Sequence, residues 1–166
     1  MLAVLTALYV VLSAFLKIPF IGNIQLDLGY IAFAVALYMF GMYGIFVGVI
    51  GCSLESLLFS AYGFSISWAV ANLLIGLIVG IVFHALRGGF FNKKEQFLRI
   101  GSIIIGCVVG LLIAKTAIEC YLYDIPLLVK IPKNAVACAV DAVVMIIGIY
   151  LAHILERRKA FTSGEG

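Results

Sequence analysis

Apolar residues in this chain fall into six long runs, near residues 2–16, 28–40, 43–59, 67–86, 98–121 and 133–155, separated by short polar or broken connectors. A helix needs roughly 20 mostly apolar residues to cross about 30 Å of hydrocarbon, and it satisfies every backbone N–H and C=O within the segment. The pattern predicts an all-α integral membrane protein, a single bundle of six transmembrane helices forming one substrate-binding domain over residues 1–166, with 155–166 as a cytoplasmic tail. Gly41-Met42-Tyr43-Gly44 reads as a tight turn between the second and third runs. The first run spans only about 22 Å at 1.5 Å per residue. It lacks a basic leader and five more runs follow, so it reads as a span and not as a signal peptide. Either it thins the bilayer or residues ahead of Met1 have been lost.

Composition agrees: 65% of the residues are hydrophobic and 11% are charged, against about 25% charged in a soluble domain. The few charges are unevenly placed. Arg87, Lys93, Lys94, Arg99, Arg157, Arg158 and Lys159 would lie on one side of a six-span layout, and Lys17, Lys130 and Lys133 on the other. The positive-inside rule then puts both termini in the cytoplasm. This bias accounts for the net charge of +3 without a nucleic-acid partner.

The polar residues within the runs are the candidate chemistry, because in a bilayer such groups face a bundle interior, a cavity or a partner. In this layout they share one depth. Asp27 and Tyr30 open span two, and Glu55 lies near the end of span three. Trp68 and Asn72 open span four, Lys115 and Glu119 close span five, and Asn134 and Asp141 fall early in span six. Helical spacing puts Gly44, Gly48, Gly51 and Glu55 on one face, and Trp68, Asn72, Gly76 and Gly80 on another. Small residues let membrane helices approach closely, and the polar groups continue these stripes toward the outer end. Individually, Asn72 and Asn134 fit interhelical glue; the whole set fits one outward-facing pocket. Asn23 and Gln25 in the loop before span two read as part of a lid, and residues 60–66 and 122–132 as further loops over the mouth. Tyr62, Phe64 and Trp68 suit stacking on a flat ligand.

Several chemistries have no motif. There is no Gly-rich loop ending in Gly-Lys-Ser/Thr, no H-E-x-x-H and no G-x-S-x-G, so the chain reads as no enzyme. Cys52, Cys107, Cys120 and Cys138 lack C-x-x-C spacing and read as small apolar fillers. His84 and His153 have no partner at ligand spacing, and neither a metal nor a cofactor is expected.

The layout resembles the substrate-binding S component of energy-coupling factor transporters, the vitamin and micronutrient importers of bacterial and archaeal cell membranes. The likeness runs from Ala3 to about Leu155. It rests on the Ala3/Ala7 pair, IQLDLGY entering span two, Phe40-Gly41 with Gly44 and Gly48, and SISWAVANLLIG opening span four. The resemblance implies a vitamin or vitamin precursor held at the outer face by the loop after helix one and the outer parts of helices four to six. It also implies docking through Ala3 and Ala7 onto a transmembrane coupling subunit that carries two cytoplasmic ATPases. Met42 stands where the family's turn usually has Pro, and Ala137 where riboflavin-binding members tend to carry Lys, so the resemblance does not assign the vitamin.

Two other readings compete: a structural six-span subunit resembling a cell-shape protein, and a self-sufficient ion-coupled carrier. The first needs no converged pocket, and the second usually shows broken helices in matching halves. For a pocket, Glu55, Glu119 and Asp141 beside Lys115 carry a formal charge of −2, an excess of acceptors that suits a donor-rich ligand such as an aminopyrimidine or a hydroxylated pyridine. In that arrangement Glu119 holds Lys115, which offers its remaining donors to the ligand, and Lys130 stands outside in a loop.

Overall fold

A computed structural model of the chain describes residues 1–16, 18–19, 25–60, 63–86 and 93–163. The helices are α1 (Leu2–Phe15), α2 (Gly29–Phe40), α3 (Ile45–Phe59), α4 (Ile66–Ala85), α5 (Lys93–Cys107), α6 (Thr116–Tyr123) and α7 (Leu127–Ser163). A 3-10 turn, Gly41–Gly44, joins α2 to α3, and a π-helical segment, Val108–Lys115, carries α5 into α6. A two-residue antiparallel ladder pairs Ile18–Pro19 with Gln25–Leu26 between α1 and α2. Among the described residues, four stretches are long and apolar enough to cross a membrane: 29–59, 66–85, 94–123 and 127–156. Leu2–Phe15 is a shorter apolar helix. The chain is a multi-pass, helical membrane protein. Its outward-facing Val4, Val11, Phe46, Leu57, Ile81, Ile105 and Ile147 are each at least half exposed, a surface made for lipid and not for water.

The 29–59 stretch folds back on itself. Gly41 takes φ +57°, a left-handed conformation that favours glycine. Three residues on, a Cβ at Gly44 would meet the Leu37 backbone nitrogen at 2.6 Å, and one at Gly48 would meet the Phe33 ring at 2.5 Å. These glycines let α3 return along α2 at backbone contact. Helix α2 is buried on every side from Ala32 to Leu37, as befits a helix apolar all round. It packs against α1, α3, α4 and α7. Helix α7 lies close enough that a Cβ at Gly148 would touch Ala34 at 2.9 Å.

Polar contacts staple the end of the bundle that holds the Gly41–Gly44 turn. Tyr38 donates to Glu156 at 2.5 Å, joining α2 to α7, and Gln96 donates to Tyr150 at 2.9 Å, joining α5 to α7. Arg99 donates to the Leu86 carbonyl at 2.7 Å. Its guanidinium lies 5.5 and 5.3 Å from the Tyr38 and Phe83 ring centroids. The aliphatic part of a long cation packs along the bundle in this way while its head finds acceptors.

Helix boundaries follow the sequence pattern closely for α1 to α4 and depart from it afterwards. Helix α7 starts at Leu127, so most of the expected 122–132 loop is helical and Pro132 lies inside the helix. Pro126 supplies the carbonyl that Val129 and Lys130 bond at 3.0 and 3.4 Å, which starts the helix early. The carbonyl that Pro132 cannot serve belongs to Leu128, which is 86% exposed and free to be solvated. Asp124 closes α6 at φ 53°, a left-handed cap that Asp tolerates better than most side chains. Helix α7 also continues through the expected tail to Ser163.

The hairpin gives a direct test. Gly44→Ala forces a methyl into the α2 backbone, and overpacking of this kind costs about 1–3 kcal/mol. We expect a clearly lower thermal midpoint in detergent for Gly44→Ala. Gly101→Ala, where nothing lies within 4 Å, should leave the midpoint unchanged.

Candidate functional site: a cavity beside a buried lysine

The end opposite the Gly41–Gly44 turn gathers three polar groupings. The first ties α1, α2 and α4 together. Tyr30 donates to Asn72 Oδ1 at 2.9 Å, and Asn72 Nδ2 donates to the Tyr9 hydroxyl at 3.4 Å. All three side chains are at most 1% exposed. Nearby, Asp27 Oδ1 accepts from Ser13 Oγ at 2.6 Å and from the Gly29 N–H at 2.8 Å. That carboxylate caps the start of α2, where a negative charge is favoured, and holds α1 against it.

The second grouping surrounds Lys115, the last residue of the π-helical segment. Its Nζ donates to Asn134 Oδ1 at 3.2 Å and lies 3.7 Å from Glu119 Oε1. It also sits 3.6 Å from the centroid of the Trp68 ring. Asn134 Nδ2 donates in turn to Thr116 Oγ1 at 2.9 Å and to Glu119 Oε2 at 3.4 Å. An ammonium this far from water needs such a set, because a buried charge without partners is costly. A desolvated cation over an indole face contributes about 2 kcal/mol. Asp141, 2% exposed, lies within electrostatic range of Lys115 and Asp27 and links the two groupings.

The third element is a cavity of about 350 Å³ between the end of α3, the start of α4 and the end of α6. Glu55, Ser56, Phe64, Trp68, Glu119 and Tyr123 are among its walls. Glu55 on α3 and Glu119 on α6 share its lining with the aromatic Phe64, Trp68 and Tyr123.

The site residues expected from sequence thus separate by position. Glu55, Trp68 and Glu119 line the cavity. Lys115, Asn134 and Asp141 are buried behind or beside that wall, and Lys115 reaches the cavity only through Trp68 and Glu119. Asp27, Tyr30 and Asn72 make the contacts that brace α1, α2 and α4. Gln25 lies in the short ladder, while Asn23 and Tyr62 fall outside the described residues. Ala3 and Ala7 are exposed on one face of α1, remote from the cavity.

Lys115 Nζ is engaged by Asn134, Glu119 and the Trp68 ring, and one expectation changes. Lys130 is not a bystander in a loop: it lies in the first turn of α7, with Nζ 3.0 Å from Glu119 Oε2. Early helix formation after Pro126 brings it there. Counting Lys130 with Lys115 against Glu55, Glu119 and Asp141 brings the formal charge to −1. Sequence reasoning also passed over Tyr9, Ser13 and Thr116. Tyr9 and Ser13 carried a signal, since they lie four apart on a helix whose only other polar side chain is Thr6.

A family model for the S component of ECF-type riboflavin transporters matches residues 1–157. The chain belongs to this family. It is therefore a substrate-binding, non-catalytic subunit of a membrane transporter. The family implies a vitamin-like ligand, and as partners the transmembrane and ATPase subunits of the ECF module.

Bracing and capture separate by mutation. Asn72→Ala strands the Tyr30 and Tyr9 hydroxyls, and an unsatisfied buried group costs about 1–3 kcal/mol. A lower thermal midpoint is expected, with ligand affinity kept within a few-fold of wild type. A large loss of affinity at unchanged stability would move Asn72 into the ligand contacts.

Proposed function

We propose that this protein is the substrate-capture subunit of an energy-coupling factor importer, a bundle of six transmembrane helices with both termini in the cytoplasm. The cavity at the outer end takes a planar vitamin or vitamin precursor rich in N–H and O–H donors. The observation that carries this reading is the wall shared by Glu55, Trp68 and Glu119, with Lys115 held against the indole. A flat ring stacks on the aromatic face while the carboxylates accept its donors. A multiply charged anion would meet net negative charge there. Orientation follows the Lys and Arg bias along the chain.

The chain's one tryptophan is Trp68, so emission excited beyond the tyrosine absorption band reports on the cavity wall. Riboflavin, named in the family's description, heads the test panel with an aminopyrimidine and a hydroxylated pyridine. At least one compound should quench Trp68 saturably. Silence across such vitamin-sized rings would place the ligand site away from Trp68. Lys115→Ala removes one partner from a buried charge pair, a change that typically costs about 2–5 kcal/mol. Calorimetry should show affinity at least roughly tenfold weaker, at 1.4 kcal/mol per decade; equal affinities would reduce Lys115 to helix bracing.

Docking through α1 is the second half of the proposal. Ala3 and Ala7 are small, four residues apart and exposed on the same face, which suits close approach by a partner helix. Ala3→Trp or Ala7→Trp should abolish uptake in cells that carry the coupling module, while purified protein keeps its ligand affinity. Uptake surviving both changes would place the docking surface elsewhere.

A further inference from the structure

Glu119 is shared by two lysines of different character. Lys115 is 5% exposed and is held from three directions by Glu119, Asn134 and the Trp68 ring. Lys130 reaches Glu119 Oε2 from the opposite side, with its own side chain 18% exposed. The turn that carries it stands at the rim of the bundle: Leu128 and Val129 are 86% and 64% exposed. The backbone enters this turn through the left-handed Asp124 and through Pro126. Lys115 is thus the enclosed partner of the carboxylate and Lys130 the one nearer the rim.

Glu119 is also a wall of the cavity. A substrate donor that reaches Oε2 meets an oxygen already held by the Lys130 ammonium at 3.0 Å. We propose that Lys130 is a specificity latch: its ammonium and a substrate N–H donor compete for Glu119 Oε2, and binding exchanges one for the other. The inference rests on reading the cavity as the capture site, and it adds a substrate class, one with an amine, amidine or similar N–H group opposite Glu119. Exchange strands no charge. Glu119 keeps Lys115 and Asn134 when Lys130 leaves, and Lys130 is near enough to the surface to be hydrated. A substrate with only acceptors at that position cannot open the latch, because it would leave Lys130 in place and face it.

The latch reverses the usual sign of an ion-pair deletion. Lys130→Met keeps the stem and removes the competitor, so donor-bearing ligands should bind more tightly, whereas Lys115→Ala weakens them. Benzamidinium is a suitable probe, a flat ring whose N–H fork matches a carboxylate. Acrylamide quenching of Trp68 measures access to the cavity, and benzamidinium occupying it should protect the indole. Half-protection is expected at a concentration at least threefold lower in Lys130→Met than in wild type. Lys133→Met, which removes the same charge from an exposed neighbour, should behave like wild type. Equal half-protection in wild type and Lys130→Met overturns the latch while leaving the capture site standing. A similar gain in Lys133→Met also overturns it, since net charge alone would then explain the effect. If neither benzamidinium nor any compound of the vitamin panel protects Trp68 in any variant, the capture reading itself fails.

Discussion

The ammonium of Lys115 is the constraint around which the cavity end is arranged. A positive charge at this depth is tolerated only if every direction it faces is negative, polar or aromatic. Glu119 comes from one turn further along the same rod, Asn134 from α7 and Trp68 from α4. Satisfying one lysine therefore fixes how α6, α7 and α4 stand relative to one another at that end. The consequence for function is that the cavity's aromatic wall and one of its acids are positioned by a group that is itself outside the cavity.

The two ends of the bundle are held differently. At the Gly41–Gly44 end, α2, α4, α5 and α7 are cross-linked by Tyr38–Glu156, Gln96–Tyr150 and the Arg99–Leu86 contact. At the cavity end the corresponding contacts are concentrated on Lys115 and Asn72, and the start of α7 carries large exposed side chains. The capture site we propose lies at the less cross-linked end, where fewer contacts have to be exchanged to admit a ligand.

Much of this was legible in the chain. Apolar run length located α1 to α4 within a residue or two, because in hydrocarbon the length of a helix is set by the membrane. The shared depth of Glu55, Trp68, Lys115 and Glu119 pointed to one end of the bundle, and the glycine spacing on α3 identified the face that meets α2 and α1. What escaped were features decided by contacts between elements. Residues 122–132 read as a loop over the mouth, but α7 starts at Leu127 and takes in Pro132, and Leu128, whose carbonyl the proline leaves without its helical donor, is 86% exposed. That misreading hid Lys130, whose relation to Glu119 has no fixed spacing along the sequence. The partners of Asn72 were hidden for the same reason: alone it read as interhelical glue and within the set as part of a pocket, and its bonds to Tyr30 and Tyr9 on two other helices have no fixed spacing along the sequence.

The π-helical segment at Val108–Lys115 gives the site an unusual genetic position. Its widened turn brings Thr116 Oγ1 to the Leu111 carbonyl, five residues back, at 3.5 Å. Such a bulge accommodates an extra residue inside a helix that otherwise keeps its axis. One residue of α-helix corresponds to about 100° of rotation. A residue gained or lost in the regular α-helical part of this rod would therefore swing Lys115 and Glu119 off the face that meets Trp68 and Asn134, whereas losing one residue from the bulge itself would close it into ordinary helix and leave both side chains where they are. The bulge is the place in this span where the length of the chain can change without turning the face that lines the cavity.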